Sequence, residues 1–506
     1  MDGAKATGGN SRLLMLCIDS MSLPFALEHI AQLPTLRALI DKGVMVQPET
    51  PATDFSASVW PTFAFGMEPG EHGEYFPFQW NAEHHVFKRL SKPIWHRAFE
   101  LEPFWYDIAR AGIKATVLDA GSILNDRAAP CRQITNWSNQ STGDAASSDP
   151  ALLAEVRRRF GHRPIGKEVP VPKKRSECRR IRDSLISALK RKTDAILWLM
   201  EKDQWQFFLA GFYEVHRAGH NLWPTDGAFA SEAEPDALLE VYEEQDRQLK
   251  RIVERTDSET TLVVFALHGM APNAAQEHFL QKVMARLNAR YLAEHGHGAV
   301  PASGTNFISL LRKTVPYGLQ YQLASILGED VQDWVVNRTV VGGLDWSRTP
   351  AFRLASAGEG TIRLNIKGRE ANGFFEPDSE ELARYVGWLE HCLMSIRVAG
   401  TDEPLIKRIL HPHELYPGPK AHYLPDLLLQ WAPAAPVERI YSNEIGEIAE
   451  QLTTGRGGNH VDGSFVLVSG PDADPETVGK IARIQDIGRF AQSCFGLPAR
   501  AKSLAQ

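Results

Sequence analysis

Leu13-Leu-Met-Leu-Cys-Ile18, closed at once by Asp19, is the stretch that decides the fold. Six apolar residues in a row are too few for a membrane span or the core of a secretion signal, and the segment before them is polar and Gly-rich. A strand wetted on one face alternates apolar and polar residues. One buried on both faces is an unbroken apolar run, as in parallel sheets. Lys114-Ala-Thr-Val-Leu-Asp119, Trp205–Phe212 and Thr260–Ala266 repeat the pattern, and Leu427–Trp431 and Ser464–Val468 are further candidates. Helical periodicity separates these runs, at Phe104–Ala111 and Asp236–Glu254 for example. The alternation predicts an α/β fold, a three-layer sandwich with a largely parallel central sheet plus insertions. Ligands of such sheets lie beyond the carboxyl ends of the strands, where Asp19, His216 and His268 fall.

The rest of the 506 residues is arranged around these strands. The reading is a first part of the core at 1–127, a basic insertion or cap at 128–192, and a second part of the core at 193–345. An insertion or small subdomain follows at 346–430, and the C-terminal part of the core at 431–506. Apolar residues at 43% and charged residues at 23% exclude disordered and coiled-coil classes. A net charge of −7 argues against a dedicated nucleic-acid binder. That average hides a segment, Val156–Lys192, with 14 Lys/Arg against 3 Asp/Glu, a local excess of +11. It reads either as a cap facing an anionic substrate or as a solvated helix with Ile181, Leu185 and Leu189 on one face. The five cysteines are far apart and form no CxxC pair, so neither a disulfide framework nor a Cys-based zinc site is indicated, and a reducing cytoplasm fits.

Five pieces suggest chemistry. Asp19 follows a buried strand, at the end where ligands of such sheets lie, or it is simply a helix cap. Ser56 opens Phe55-Ser-Ala-Ser-Val-Trp-Pro-Thr-Phe-Ala-Phe-Gly66. There a hydroxyl meets the N–H groups of a helix start, a place for phosphate or for ordinary capping. His216 and His220 are spaced to share one helix face, a common metal spacing that surface histidines also adopt. His268 and His460 stand in Gly-containing loops, as ligands or as ordinary loop histidines.

Taken in order, these pieces resemble the alkaline phosphatase superfamily, in particular its type I phosphodiesterase/nucleotide pyrophosphatase branch. Gly66-Met-Glu-Pro-Gly-Glu-His-Gly73 matches that family's Gly-x-x-Pro-Gly-x-His-Gly pattern, and counting back ten residues reaches Ser56 at the nucleophile position. Trp60 stands where many relatives carry Trp. The family's Asp-x-x-x-His is represented by His216 and His220, its Asp-His-Gly by Leu267-His268-Gly269, and its late His by His460. Ile362–Glu370 and Tyr416–Leu428 are similar too. The resemblance implies an alkaline phosphatase-like fold and a metal-dependent hydrolase of a phosphodiester, phosphomonoester or phosphonate. It implies Ser56 as covalent nucleophile, Asp19, His216, His220, His268 and His460 as metal ligands, and zinc as the usual divalent metal. A sulfatase does not fit, because the Pro and Arg that a formylglycine precursor needs are Ser58 and Trp60 here.

Two of the family's three metal-binding carboxylates are replaced, by His216 and Leu267. Two dications over the single Asp19 would leave a costly excess of positive charge in a partly buried site. The expectation is one tightly held metal on His216, His220 and His460, and a weak or absent second one at Asp19 and His268. Asp54, Glu74 and Glu214 are the acids that could stand in. The expected partner is a small anionic phosphorus-containing substrate, with no membrane and no nucleic acid, and the sequence is compatible with a homo-oligomer. Two rival readings are a group-transfer enzyme using the same serine and a non-catalytic binding descendant of the family.

Overall fold

The computed structural model describes residues 12–90, 101–121, 129–139, 144–166, 168, 171–202, 204–224, 231–296 and 329–498. Its centre is an eight-stranded sheet. The strands run, edge to edge, Val44–Val46, Phe465–Ser469, Thr260–Ala266, Arg12–Ile18, Phe207–Phe212, Ala115–Leu118, Arg132–Thr135, Ala146–Ser147. The five strands from Thr260–Ala266 to Arg132–Thr135 are parallel, and the three outer ones are antiparallel to their neighbours. Arg12–Ile18 lies in the middle with Cys17 opposite both Gly211 and Phe265, and Leu13–Ile18 are at most 1% exposed. Burial on both faces is what the unbroken apolar run required. From the central strand the chain forms the edge strand Val44–Val46, crosses to the strands on the other side, returns to insert Phe207–Phe212, then crosses again to Thr260–Ala266. This order brings the carboxyl ends of three strands together, and the backbone N–H of Asp19 bonds to the carbonyl of Phe212 at 2.9 Å.

Helices cover the sheet in two groups and complete the three-layer sandwich. One contains the 28-residue helix Arg175–Lys202 packed on Ala237–Val253. The other contains Val59–Phe65, Phe104–Arg110 and Asp486–Ser493. In the long helix Ile181, Leu185 and Leu189 are buried. Several of its cations pair with acids from a later part of the chain, Arg179 with Glu234 at 2.6 Å and Arg182 with Glu240 at 2.9 Å. Much of the local charge excess is therefore offset by neighbours, and the helix serves as a core layer.

A second sheet, four-stranded and antiparallel, has the order Ala351–Arg353, Gly360–Leu364, Leu427–Trp431, Ile406–Leu410. Leu427–Trp431 belongs here and not to the central sheet. Ile362, Tyr385, Leu389, Leu427 and Leu429 form part of a separate apolar cluster. The first hairpin of this sheet sends the loop 354–359 towards the carboxyl ends of the central strands.

Candidate active site

Asp19, the first residue past the central strand, has one carboxylate oxygen bonded to Nδ1 of His216 and the other bonded to Nε1 of Trp60 at 3.0 Å. His216 and His220 are on the helix Glu214–Leu222, which starts directly after the strand Phe207–Phe212. His460 lies in Gly458–Val461, which pairs antiparallel with Gly269–Pro272, the strand following His268. Helix and strand pair approach closely because two residues lack side chains. A Cβ on Gly219 would come within 2.8 Å of the Met270 side chain, and one on Gly458 within 2.6 Å of the Gly219 carbonyl. All five expected ligand residues are thus gathered in one place. The His268 ring lies 4.8 Å from that of His460 and 5.9 Å from that of His216.

Nε2 of His216 is 3.0 Å from Nε2 of His220 and 2.9 Å from Nε2 of His460, and the three ligand atoms lie within 4.8 Å of one another. The outer nitrogens fix the tautomers. Nδ1 of His216 faces a carboxylate and Nδ1 of His220 faces the Gly458 carbonyl at 2.9 Å. Both partners are acceptors, so both Nδ1 atoms carry a proton, and a neutral ring then presents its Nε2 lone pair to the others. The three Nε2 atoms thus converge on one point. Burial, with the Arg456 charge and the neighbouring imidazole, drives the pKa of His220 well below its ordinary value. Burial and the surrounding histidines do the same to His460, whose Nδ1 has no hydrogen-bond partner. Neither His220 nor His460 therefore holds a proton of its own readily at Nε2. A divalent cation fits: neutral imidazoles are its preferred nitrogen ligands, and three with an open fourth position is a known catalytic zinc set.

The site differs from a two-metal arrangement in how Asp19 is used. Burial alone would raise its pKa, but His216, His268 and the Trp60 N–H hold it below the usual carboxylate value. Its bond to His216 Nδ1 is the orienting contact that carboxylates make behind a ligating imidazole. Imidazole is longer than the carboxylate it replaces, so His216 spans from Asp19 to the other histidines. His268 has Nδ1 at 2.9 Å from the Ser20 hydroxyl, and burial lowers its pKa to about 4. Leu267 is fully buried in the apolar core. Of the acids considered as replacements, Asp54 accepts hydrogen bonds from Tyr416 and Gln430, and Glu214 accepts from the Tyr213 N–H. Glu74 is raised to about 7 by burial, with Lys420 opposing.

Ser56 opens a turn of 3-10 helix, Ser56–Ser58, which leads into the helix Val59–Phe65. Two contacts tie this segment to the histidines: Trp60 to Asp19, and the Thr53 N–H to Asp462, two residues past His460, at 3.0 Å. Ser56 is 3% exposed, and its hydroxyl and its N–H both donate to Oε1 of Glu359, at 2.7 and 3.0 Å. Glu359 was not visible to sequence reasoning. It sits in Ser356-Ala-Gly-Glu-Gly360, a turn with no periodic pattern, 303 residues from Ser56. Glu168, inside the basic stretch, was missed as well. Burial would raise its pKa, yet Arg456, His220, Arg217 and His216 bring it down to about 2. It supplies negative charge beside the cluster, and the carbonyl of nearby Ile165 accepts from Arg217 at 2.7 Å.

The chain has recognisable relatives. The family model for type I phosphodiesterase / nucleotide pyrophosphatase matches residues 13–322, more than half of the chain. Among curated proteins, none matches by sequence. Phosphonoacetate hydrolase from Sinorhizobium meliloti 1021, solved with phosphonoacetate, aligns over 96% of this chain and 95% of its own, at 13% identity and a TM-score of 0.51. Murine ectonucleotide pyrophosphatase / phosphodiesterase 5 aligns over 97% and 96%, at 10% identity and a TM-score of 0.50. Those two likenesses bear on the fold, which is alkaline phosphatase-like. The chain belongs to the type I phosphodiesterase / nucleotide pyrophosphatase family and is a phosphoric ester hydrolase of that kind.

Proposed function

We propose that this protein hydrolyses a small phosphodiester, phosphomonoester or phosphonate through a covalent intermediate on Ser56, with one divalent metal, zinc, held by His216, His220 and His460. The convergence of three imidazole Nε2 atoms, two of them on rings whose Nδ1 faces an acceptor, carries the reading. When bound, the metal would act as a Lewis acid on a phosphoryl oxygen. The remaining work belongs to the chain. Ser56 Oγ attacks phosphorus. Asp19 fixes the ring of His216, and Trp60 fixes Asp19. Water then releases the phosphoryl group from the serine.

Asp19 and His268 are proposed as the remnant of the family's second site, too poor in negative charge to retain a metal. The stretch 346–430 is proposed as the insertion that sets the choice of substrate. Five free thiols support the cytoplasm as its compartment, and none of the described helices is long and apolar enough to cross a membrane. Metal analysis of the purified protein tests the reading. One equivalent of zinc is expected per chain, lost in His216→Ala and retained in Ser56→Ala, with Ser56→Ala inactive on a chromogenic diester. Two equivalents would sink the single-metal reading, and none would favour a binding protein.

A further inference from the structure

A serine hydroxyl attacking phosphorus must give up its proton. A second metal could lower the hydroxyl pKa, but that site has lost its carboxylate at Leu267, and Asp19 is turned to His216. We propose that Glu359 is the general base for Ser56, an inference that rests on Ser56 being the nucleophile. Oε1 of Glu359 lies 2.7 Å from Ser56 Oγ, within the reach required of a base.

The carboxylate is held for this task by more than one contact. Oε2 accepts the Ala357 N–H at 2.7 Å, and the Ser356 hydroxyl closes the turn onto the Glu359 carbonyl at 2.7 Å. Trp431 Nε1 donates to the Gly358 carbonyl at 2.9 Å. Gly358 has a φ of +132°, and a Cβ there would meet Asn459 Nδ2 at 2.4 Å. The turn is therefore pressed against the strand that carries His460, so the base and the metal ligands share one support.

The step balances as follows. The Ser56 Oγ–P bond forms and the bond from phosphorus to the leaving group breaks, its electron pair going to the leaving group, which takes a proton from solvent. The Ser56 proton moves to Glu359 Oε1. When water attacks the phosphoserine, that proton returns to Ser56 Oγ and the water's proton passes to solvent. The base thus ends each turnover as the carboxylate it began as.

The test uses the full-length protein with bis(p-nitrophenyl) phosphate, comparing Glu359→Gln, Glu359→Ala and Ser56→Ala. Gln keeps an oxygen for the Ser56 N–H but cannot take the proton. Glu359→Gln is expected to slow the pre-steady-state burst of p-nitrophenolate and kcat together by about 10²–10⁴-fold. KM should stay within about threefold and metal content unchanged, which shows that the fold survives. Added formate should restore at least about tenfold of the activity of Glu359→Ala, a recovery that a lost structural contact would not give. Unchanged or raised kcat in Glu359→Gln would overturn the proposal and make Glu359 a cap or a plug. An active Ser56→Ala would instead overturn the nucleophile itself, a separate result.

Discussion

Two buried polar clusters lie at the carboxyl ends of neighbouring strands, and only one is electrostatically finished. At the end of Ala115–Leu118, Asp119 accepts from the N–H groups of Trp137 and Ser138 and from Lys192 Nζ at 2.7 Å. Lys192 also donates to the Ser138 carbonyl, and both side chains are wholly buried. The buried carboxylate meets its opposite charge, and Lys192 has two acceptors. At the ends of Arg12–Ile18 and Phe207–Phe212, the three histidines instead present nitrogen to nitrogen. Burial and polarity are common to both places. What separates a structural cluster from a functional one is whether the protein's own atoms complete it.

Substitutions can break that contrast, beginning with the largest effect. His220→Ala should remove the metal and at least about 10³-fold of activity, since a Lewis acid contributes several kcal/mol, while the chelated parent and the variant melt alike by calorimetry. Lys192→Met should do the reverse. It leaves Asp119 buried and unpaired, which costs about 3–5 kcal/mol in denaturant unfolding, yet its metal content should match the parent's.

A smaller effect concerns His72 and Glu74, beside the nucleophile helix. Burial, with Lys420 adding, lowers the pKa of His72 from 6.5 to about 3, so its contribution to stability is lost as pH falls below 6.5. Burial raises Glu74 from 4.5 to about 7, so its contribution is present at low pH and lost as pH rises from 4.5 to 7. The slopes oppose each other between 4.5 and 6.5. Glu74→Gln should unmask the histidine, with stability falling by roughly 1.4 kcal/mol per pH unit on acidification in that window; a flat urea midpoint would refute it. Least of all, Arg182→Ala should cost under about 1 kcal/mol despite its ion pair with Glu240, because that pair is partly exposed.

The central strands were legible because two-sided burial leaves a one-dimensional trace: Leu13–Ile18 and Thr260–Ala266 read as apolar runs and are strands within a residue or so. Leu427–Trp431 has the same trace and belongs to another sheet, since a run of apolar residues does not say which partner buries it. The histidines could be found because a helix imposes the four-residue spacing of His216 and His220. What Asp19 does there could not be found. Whether it binds metal or steadies His216 depends on the length of a neighbouring side chain. Glu359 left no trace, because its meeting with Ser56 is set by the packing of a hairpin turn and not by any local preference.

The pairing of Gly458–Val461 with Gly269–Pro272 also has a consequence for the order of events during synthesis. His460 emerges 244 residues after His216, which at ribosomal speed is roughly 10–50 s later. Until then the nascent chain has only His216 and His220 of the three-histidine site. Tight capture of the metal must therefore await the last part of the chain, and a ribosome that stalls before Gly458 would release a polypeptide with most of its central strands and no enclosed metal site.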